Sequence, residues 1–193
     1  VIDKDLNAAS VTTTNGEGCG YVLPKAGFML NNMLGEEDLN PLGFHKHPPE
    51  ARLPSMVAPT IVLKDGKPVL VTGTAGSNRI RSVIVQMIVN VFCNGMDIET
   101  ATRNPRVHLE GNILHVEPGI SDTILEELST RYKIHHWKEQ NVFFGGTNSV
   151  LNSEVFRIAR NYNFSPTQLK LQSYCFRVQG CPPYLFQQSS DVF

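Results

Sequence analysis

The sequence predicts an α+β fold in which helices pack on a mainly antiparallel sheet. The first observation is a hairpin signal, in which β-branched and apolar residues at 60–63 and 69–72 flank an Asp-Gly pair. The second is another hairpin signal, from residues 107–110 and 113–116 around Gly111-Asn112. The third is a pair of amphipathic helices placed between and after these hairpins. Strands and helices in this mixed order indicate helices packed on a largely antiparallel sheet.

The clearest helix follows the strand predicted at residues 69–72. Its apolar residues recur at helical spacing: Ile80, Val83, Ile84, Met87, Ile88 and Val91. We expect Ser77 or Asn78 to cap this helix and Asn94-Gly95 to end it. The preceding loop, residues 73–78, holds two glycines and presents backbone N–H groups at the positive end of the helix dipole. Such a loop suits a phosphate or a developing oxyanion, or is an ordinary tight connection; it lacks the Gly-Lys-Ser/Thr of a P-loop.

The rest of the chain is predicted from weaker local signals. Strands are expected at residues 8–14, 27–32, 134–137 and 142–144, and helices at residues 97–103 and from Ser121 to about Tyr132. Prolines make residues 40–54 irregular, and residues 157–193 are also expected to be irregular. Four histidines are expected on strand surfaces: His108, His115, His135 and His136.

Composition excludes several classes of function. The 193 residues include 17 basic and 18 acidic ones, a net charge of −1, which argues against nucleic acid or an anionic membrane surface as a main partner. No apolar stretch approaches the ~20 residues of a membrane span. The four cysteines lack metal-site spacing, and His45 and His47 have no third ligand nearby, so we expect no metal and no cofactor. Cys93 is expected to be buried, and a disulfide between Cys175 and Cys181 stays open.

A family resemblance rests on motifs that occur in a recognisable order. They are Asp3-Lys4-Asp5 with residues 10–14, residues 27–32, Pro54-Ser55-Met56, residues 73–80, and residues 104–108. Together they resemble the small, C-terminal subunit of the γ-glutamyltransferase (γ-glutamyltranspeptidase) family. That resemblance implies the N-terminal-nucleophile hydrolase fold, of which this chain would form half of an αββα sandwich. It covers residues 1–150, as a domain lacking its N-terminal start, and leaves 151–193 as a divergent tail that is disordered, fused or frameshifted.

The resemblance also implies roles for individual residues. Thr14 corresponds to a threonine whose hydroxyl supports the nucleophile, and Asn15 to an asparagine that touches the glutamyl α-amine. Asp38, or Glu37 beside it, corresponds to the acid that pairs with that amine. Ser55 corresponds to a serine that binds the α-carboxylate. Gly76 and Ser77 fall on a two-glycine stretch whose backbone N–H groups form the oxyanion hole.

The implied function is that of an autoprocessed γ-glutamyl transferase or hydrolase acting on glutathione or other γ-glutamyl amides. In the family, the threonine freed at the new N-terminus is the nucleophile; we expect the chain, which opens at Val1, to be a piece lacking it and inactive by itself. The partner would be the large subunit of the same precursor, in a heterodimer, and the compartment extracytoplasmic. Met33 and Pro54 replace family residues and leave open a degenerate, non-catalytic relative that at most binds a large subunit.

Overall fold

The structure is a computed structural model, and it describes residues 1–152 together with the backbone of residues 157–162. In chain order the strands and helices are β1 Thr60–Lys64, β2 Lys67–Thr74, α1 Arg79–Ile88, α2 Ile98–Arg103, β3 Val107–Glu110, β4 Ile113–Val116, α3 Asp122–Ser129, β5 Lys133–His136, β6 Gly146–Leu151 and β7 Arg157–Tyr162. The fold is therefore mixed α and β, as the sequence predicts. None of the described helices has the length and apolar character needed to cross a membrane.

The main sheet has four antiparallel strands in the order β1-β2-β6-β7. The predicted hairpin forms β1 and β2, with a bulge between Val62 and Leu63. Strand β6 then pairs with β2 so that Thr74 lies opposite Thr147. This pairing brings the C-terminal end of β2 beside the N-terminal end of β6, which is where the candidate site lies.

Helices α1 and α2 pack on this sheet, and α1 does so with the apolar stripe that the sequence predicts. Leu70 of β2 packs in one buried cluster with Val83, Met87, Ile98 and Ala101. On α1 the buried positions are those of the helical repeat, and burial of each such side chain typically contributes about 1.5–3 kcal/mol. Beyond Ile88 the helix continues as a π-helical turn, Val89–Cys93, and Asn94 follows. The prediction of this helix is confirmed.

The second sheet has three strands in the order β3-β4-β5. The predicted hairpin forms β3 and β4, whereas β4 and β5 are parallel because α3 carries the chain back across the sheet. Helix α2 begins where expected, since the Asp97 side chain accepts hydrogen bonds from the N–H groups of Glu99 and Thr100.

Several strand predictions are wrong. Residues 8–14 and 27–32 form no ladder and contribute only the isolated bridges of Ala8 and Met29. Residues 142–144 are a 3-10 turn, because Asn141 caps the Phe143 N–H and Gly145 ends the turn at φ 68°. Residues 157–162, expected to be irregular, form β7.

Two expectations about cysteines have different outcomes. Cys93 is exposed rather than buried, because it lies at the end of the π-helical turn, away from the apolar cluster. Cys175 and Cys181 lie outside the described residues.

Candidate active site

The centre of the candidate site is the turn Ala75-Gly76-Ser77-Asn78, called here the 75–78 turn, between β2 and α1. The Ala75 N–H donates to the carbonyl of Gly146 at 3.1 Å, and the Thr74 hydroxyl donates to the same carbonyl at 2.9 Å. Gly76 has φ +127°, a conformation that suits glycine. The turn is therefore held to β6 at one end and opens α1 at the other.

The backbone N–H groups of Gly76 and Ser77 have no hydrogen-bond partner in the part of the chain that the structure describes, whereas the carbonyls of the same residues accept from Arg79 and Ile80. Both residues are only partly exposed. N–H groups at the start of a helix, here one of 10 residues, are of the kind that can bind an anion or a developing oxyanion, so the oxyanion role of Gly76 and Ser77 stays a prediction.

Gly145 forms the back of the 75–78 turn. It is buried, with φ 68°, and a Cβ on it would collide with the carbonyl of Ala75. A Cβ on Gly76 would in turn stand 3.1 Å from the Gly145 Cα. Two glycines are required here because the two backbones touch without room for side chains.

Arg106 hydrogen-bonds to the backbone at Gly145, and the sequence prediction assigned no role to this residue. Its side chain is 6% exposed and donates to the carbonyls of Phe144 at 2.8 Å and Gly145 at 3.3 Å. Glu117, equally buried, lies 4.0 Å from its Nε and accepts the Arg106 backbone N–H at 2.8 Å. Burial lowers the pKa of Arg106, and the charge of Glu117 opposes that shift. The one available signal was a charged residue directly after Asn104-Pro105.

Asp38 is the predicted site residue that the structure joins to the 75–78 turn. The Ser77 hydroxyl donates to one carboxylate oxygen of Asp38, and the Asn78 amide donates to the other at 2.9 Å. Asn78 stands at the N-cap position of α1, as expected, but its backbone angles are helical and it makes no side-chain cap hydrogen bond, so the prediction of a side-chain cap is wrong. Asp38 and Glu37 are both exposed, and of the two acids Asp38 is the one that hydrogen-bonds to the 75–78 turn; the role of either in binding an amine stays a prediction.

Asn15 lies against a different segment, residues 29–36, and Thr14 beside it is bonded only locally. The Thr14 hydroxyl accepts the Gly16 N–H at 3.0 Å, and the Asn15 amide donates to the carbonyl of Met29 at 3.0 Å. The Glu36 carboxylate reaches Gly16, and its Oε1 is buried without a hydrogen-bond partner among the described residues. Glu36 belongs to the acidic run Glu36-Glu37-Asp38, whose three acids the sequence suggests could hold an amine, although the family resemblance assigns that role to Asp38 or Glu37.

Ser55 is exposed and bonded only locally, since its hydroxyl accepts the Val57 N–H at 3.2 Å. Within residues 1–152, no hydrogen bond joins Thr14 or Ser55 to the 75–78 turn. The roles that the family resemblance implies for Thr14 and Ser55 stay predictions.

His108 is buried rather than on a strand surface, which corrects the sequence prediction. Its Nδ1 lies 2.7 Å from the Ser82 hydroxyl, and its Nε2 lies 3.5 Å from the Glu110 carboxylate. Burial lowers the pKa of His108 first of all; Glu110 opposes the shift, and Arg79, Arg81 and His115 add to it. The ring faces Phe143, over which the Arg79 guanidinium stacks at 4.6 Å.

Comparisons with known proteins decide the family. Residues 1–159 match the family model described as gamma-glutamyltranspeptidase. The chain belongs to the γ-glutamyltranspeptidase family. Among its relatives, the glutathione hydrolase proenzyme of Escherichia coli (strain K12) is 36% identical over 170 residues, covering 78% of this chain and 28% of the relative. That of Bacillus subtilis (strain 168) is 34% identical over 132 residues, covering 67% and 22%.

Solved members of the γ-glutamyltranspeptidase family share this fold. An acivicin-inhibited γ-glutamyltranspeptidase superposes with a TM-score of 0.72 at 30% identity, covering 83% of this chain and 95% of that one. A γ-glutamyltranspeptidase mutant of Helicobacter pylori superposes with a TM-score of 0.70 at 28% identity, covering 84% and 95%. The chain spans only about a quarter of the length of the curated relatives it matches, and those relatives are proenzymes.

Proposed function

We propose that this chain is the portion of a γ-glutamyl transferase or hydrolase that binds the γ-glutamyl group and stabilises the oxyanion formed from its carbonyl. Glutathione or another γ-glutamyl amide is the substrate. One observation carries the proposal: the N–H groups of Gly76 and Ser77, which have no hydrogen-bond partner among the described residues, stand at the start of α1 beside the carboxylate of Asp38. A γ-glutamyl group needs both features, since it has a reacting carbonyl at one end and an α-ammonium at the other.

The reaction passes through an ester. The hydroxyl oxygen of a threonine, which the family resemblance puts just before Val1, attacks the γ-carbonyl carbon while its proton moves to that threonine's own amine. Negative charge then develops on the carbonyl oxygen, where the N–H groups of Gly76 and Ser77 stabilise it. The amide nitrogen leaves with the proton, and water or an acceptor amine attacks the ester carbonyl to release the glutamyl group. Thr14 supports the nucleophile.

The other end of the substrate is bound by polar side chains. Asp38 and Asn15 hold the α-ammonium, and Ser55 holds the α-carboxylate. The exposed position of Asp38 and Ser55 supports this assignment, because both side chains are accessible to a small molecule. Pairing of the ammonium with a carboxylate is a charge-assisted interaction, which is stronger than a neutral hydrogen bond.

We also infer that the sheet β1-β2-β6-β7 is one inner layer of an αββα sandwich, with α1 and α2 as its outer layer. A large subunit from the same precursor supplies the other half of the heterodimer, in an extracytoplasmic compartment. The proenzyme names of the relatives support the subunit partner.

The test uses the complete protein from which this chain derives, assayed with a chromogenic γ-glutamyl anilide. In Asp38→Asn, the ammonium loses its counter-charge, so we expect KM to rise about tenfold or more. Asp122→Asn, in the first turn of α3, removes an exposed acid of the same kind elsewhere and serves as the control. An unsubstituted protein without turnover would favour the non-catalytic relative, the alternative that Met33 and Pro54 support.

A further inference from the structure

Ser77 carries a side chain where the family resemblance has a second glycine, and that side chain has a specific partner. Its hydroxyl donates to Asp38 Oδ2, while the Asn78 amide donates to Asp38 Oδ1 at 2.9 Å. Two consecutive residues of the 75–78 turn therefore hold both oxygens of one carboxylate. The contact spans 39 residues of sequence, so it joins two separate segments of the chain.

The backbone at Ser77 makes the presence of this hydroxyl informative. Ser77 has φ +50°, in the left-handed region that favours glycine. An oxyanion site requires only the backbone N–H of this residue, and glycine would supply that N–H without strain. The serine therefore adds a side chain at a conformational cost. Within the described chain, the one hydrogen bond of that hydroxyl is to Asp38.

Asn78 is itself held in place by a second carboxylate. Its amide nitrogen donates to Glu110 Oε1 at 2.9 Å as well as to Asp38, so both amide protons are used. Arg79 lies 3.9 Å from the other oxygen of Glu110. The amide therefore has one orientation that satisfies both acids, and Asn78 is a rigid support for Asp38.

We propose that Ser77 and Asn78 are positioning residues that fix Asp38 at a set distance from the N–H groups of the same turn. This inference rests on the proposed function, in which Asp38 holds the α-ammonium. Asp38 is exposed on the 3-10 turn Glu37–Leu39, so without these two hydrogen bonds its side chain would be free to rotate. A carboxylate has about four lone-pair sites, so two hydrogen bonds leave room for an ammonium.

The consequence is substrate selection. Because one turn supplies both the oxyanion N–H groups and the anchors of Asp38, the spacing between ammonium and reacting carbonyl is set by this turn. An acyl group with its ammonium at the γ-glutamyl spacing satisfies both ends at once. Glutarate, which matches L-glutamate but lacks the amine, gains nothing from the anchored Asp38.

The experiment measures binding of L-glutamate and of glutarate to the complete protein by titration calorimetry. Ser77→Gly removes the hydroxyl and relieves the backbone, and Ser77→Ala removes the hydroxyl and keeps the strain. We expect both variants to weaken L-glutamate binding about tenfold and to leave glutarate binding unchanged. Ser129→Ala, which removes an exposed hydroxyl of α3 bonded to the Glu126 carbonyl, is the matched control and should change neither constant.

Two outcomes would overturn the inference. One is an unchanged L-glutamate dissociation constant in Ser77→Gly; if Ser77→Ala alone were weakened, the cause would be backbone strain. The other is an equal loss of affinity for glutarate. Failure of the proposed function is seen separately. It appears as absent turnover of the γ-glutamyl anilide by the unsubstituted protein, whereas the binding constants do not depend on turnover.

Discussion

Replacing the buried Arg106 with Met should destabilise the chain far more than replacing an arginine on the surface. The guanidinium is 6% exposed and supplies donors to the buried carbonyls of Phe144 and Gly145. Met fills the volume but leaves both carbonyls without that donor and removes the positive charge that lies 4.0 Å from the Glu117 carboxylate. Breaking a buried pair in this way typically costs 3–5 kcal/mol, so we expect the free energy of unfolding to fall by about 3–5 kcal/mol.

The matched control is Arg103→Met, three residues earlier. Arg103 pairs with Glu99 at 2.9 Å, but both side chains are about 70% exposed, and such a pair contributes less than about 0.5 kcal/mol. Urea unfolding followed by the fluorescence of Trp137, the chain's single tryptophan, measures both variants near the affected turn. Equal losses in Arg103→Met and Arg106→Met would refute the reasoning, and Glu117→Gln added to Arg106→Met should recover part of the loss.

Two further predictions concern the same region. Gly145→Ala should cost more than about 2 kcal/mol of stability because its Cβ collides with the Ala75 carbonyl, whereas Gly111→Ala, at φ 57° with open space around it, should cost about 1 kcal/mol; urea unfolding of both variants checks the difference. The lowered pKa of His108 means that protonation of this ring favours the unfolded chain, so its contribution to stability is complete above about pH 7 and is lost as the pH drops below about 6.5, by at most about 1.4 kcal/mol per pH unit. His108→Gln should flatten this dependence between pH 7.5 and 5.5, and an unchanged slope would assign it elsewhere.

The sequence predicted the elements that depend only on neighbouring residues: α1, the β1–β2 hairpin and the start of α2. The stripe from Ile80 to Val91 repeats every 3.6 residues, so α1 was predictable without knowledge of what it packs on. The Asp-Gly turn likewise determines the β1–β2 hairpin within a few residues. Asp97, a side-chain acceptor followed by apolar residues, marked the start of α2.

What the sequence did not predict depends on distant partners. Strand β6 contains small polar residues such as Thr147 and Ser149, which are buried because β2 and β6 pair and Ser149 bonds Thr72 at 2.8 Å. We expected His108 on a strand surface, yet Ser82 of α1 and Phe143 of the 3-10 turn pack against its ring. The family resemblance named Asp38, but no local signal indicated that Ser77 and Asn78 would bind it.

The contact between Ala75 and Gly145 also has a consequence for how the chain folds. Thr74 bonds to Gly146 across 72 residues, while the β1–β2 hairpin and α1 need only neighbours. Closing so long a loop costs entropy before any long-range contact rewards it, so local elements form earlier. During refolding, the far-ultraviolet circular dichroism signal should therefore recover before L-glutamate binding. Helix content increases first, whereas the N–H groups of Gly76 and Ser77 are positioned only after β6 has paired with β2.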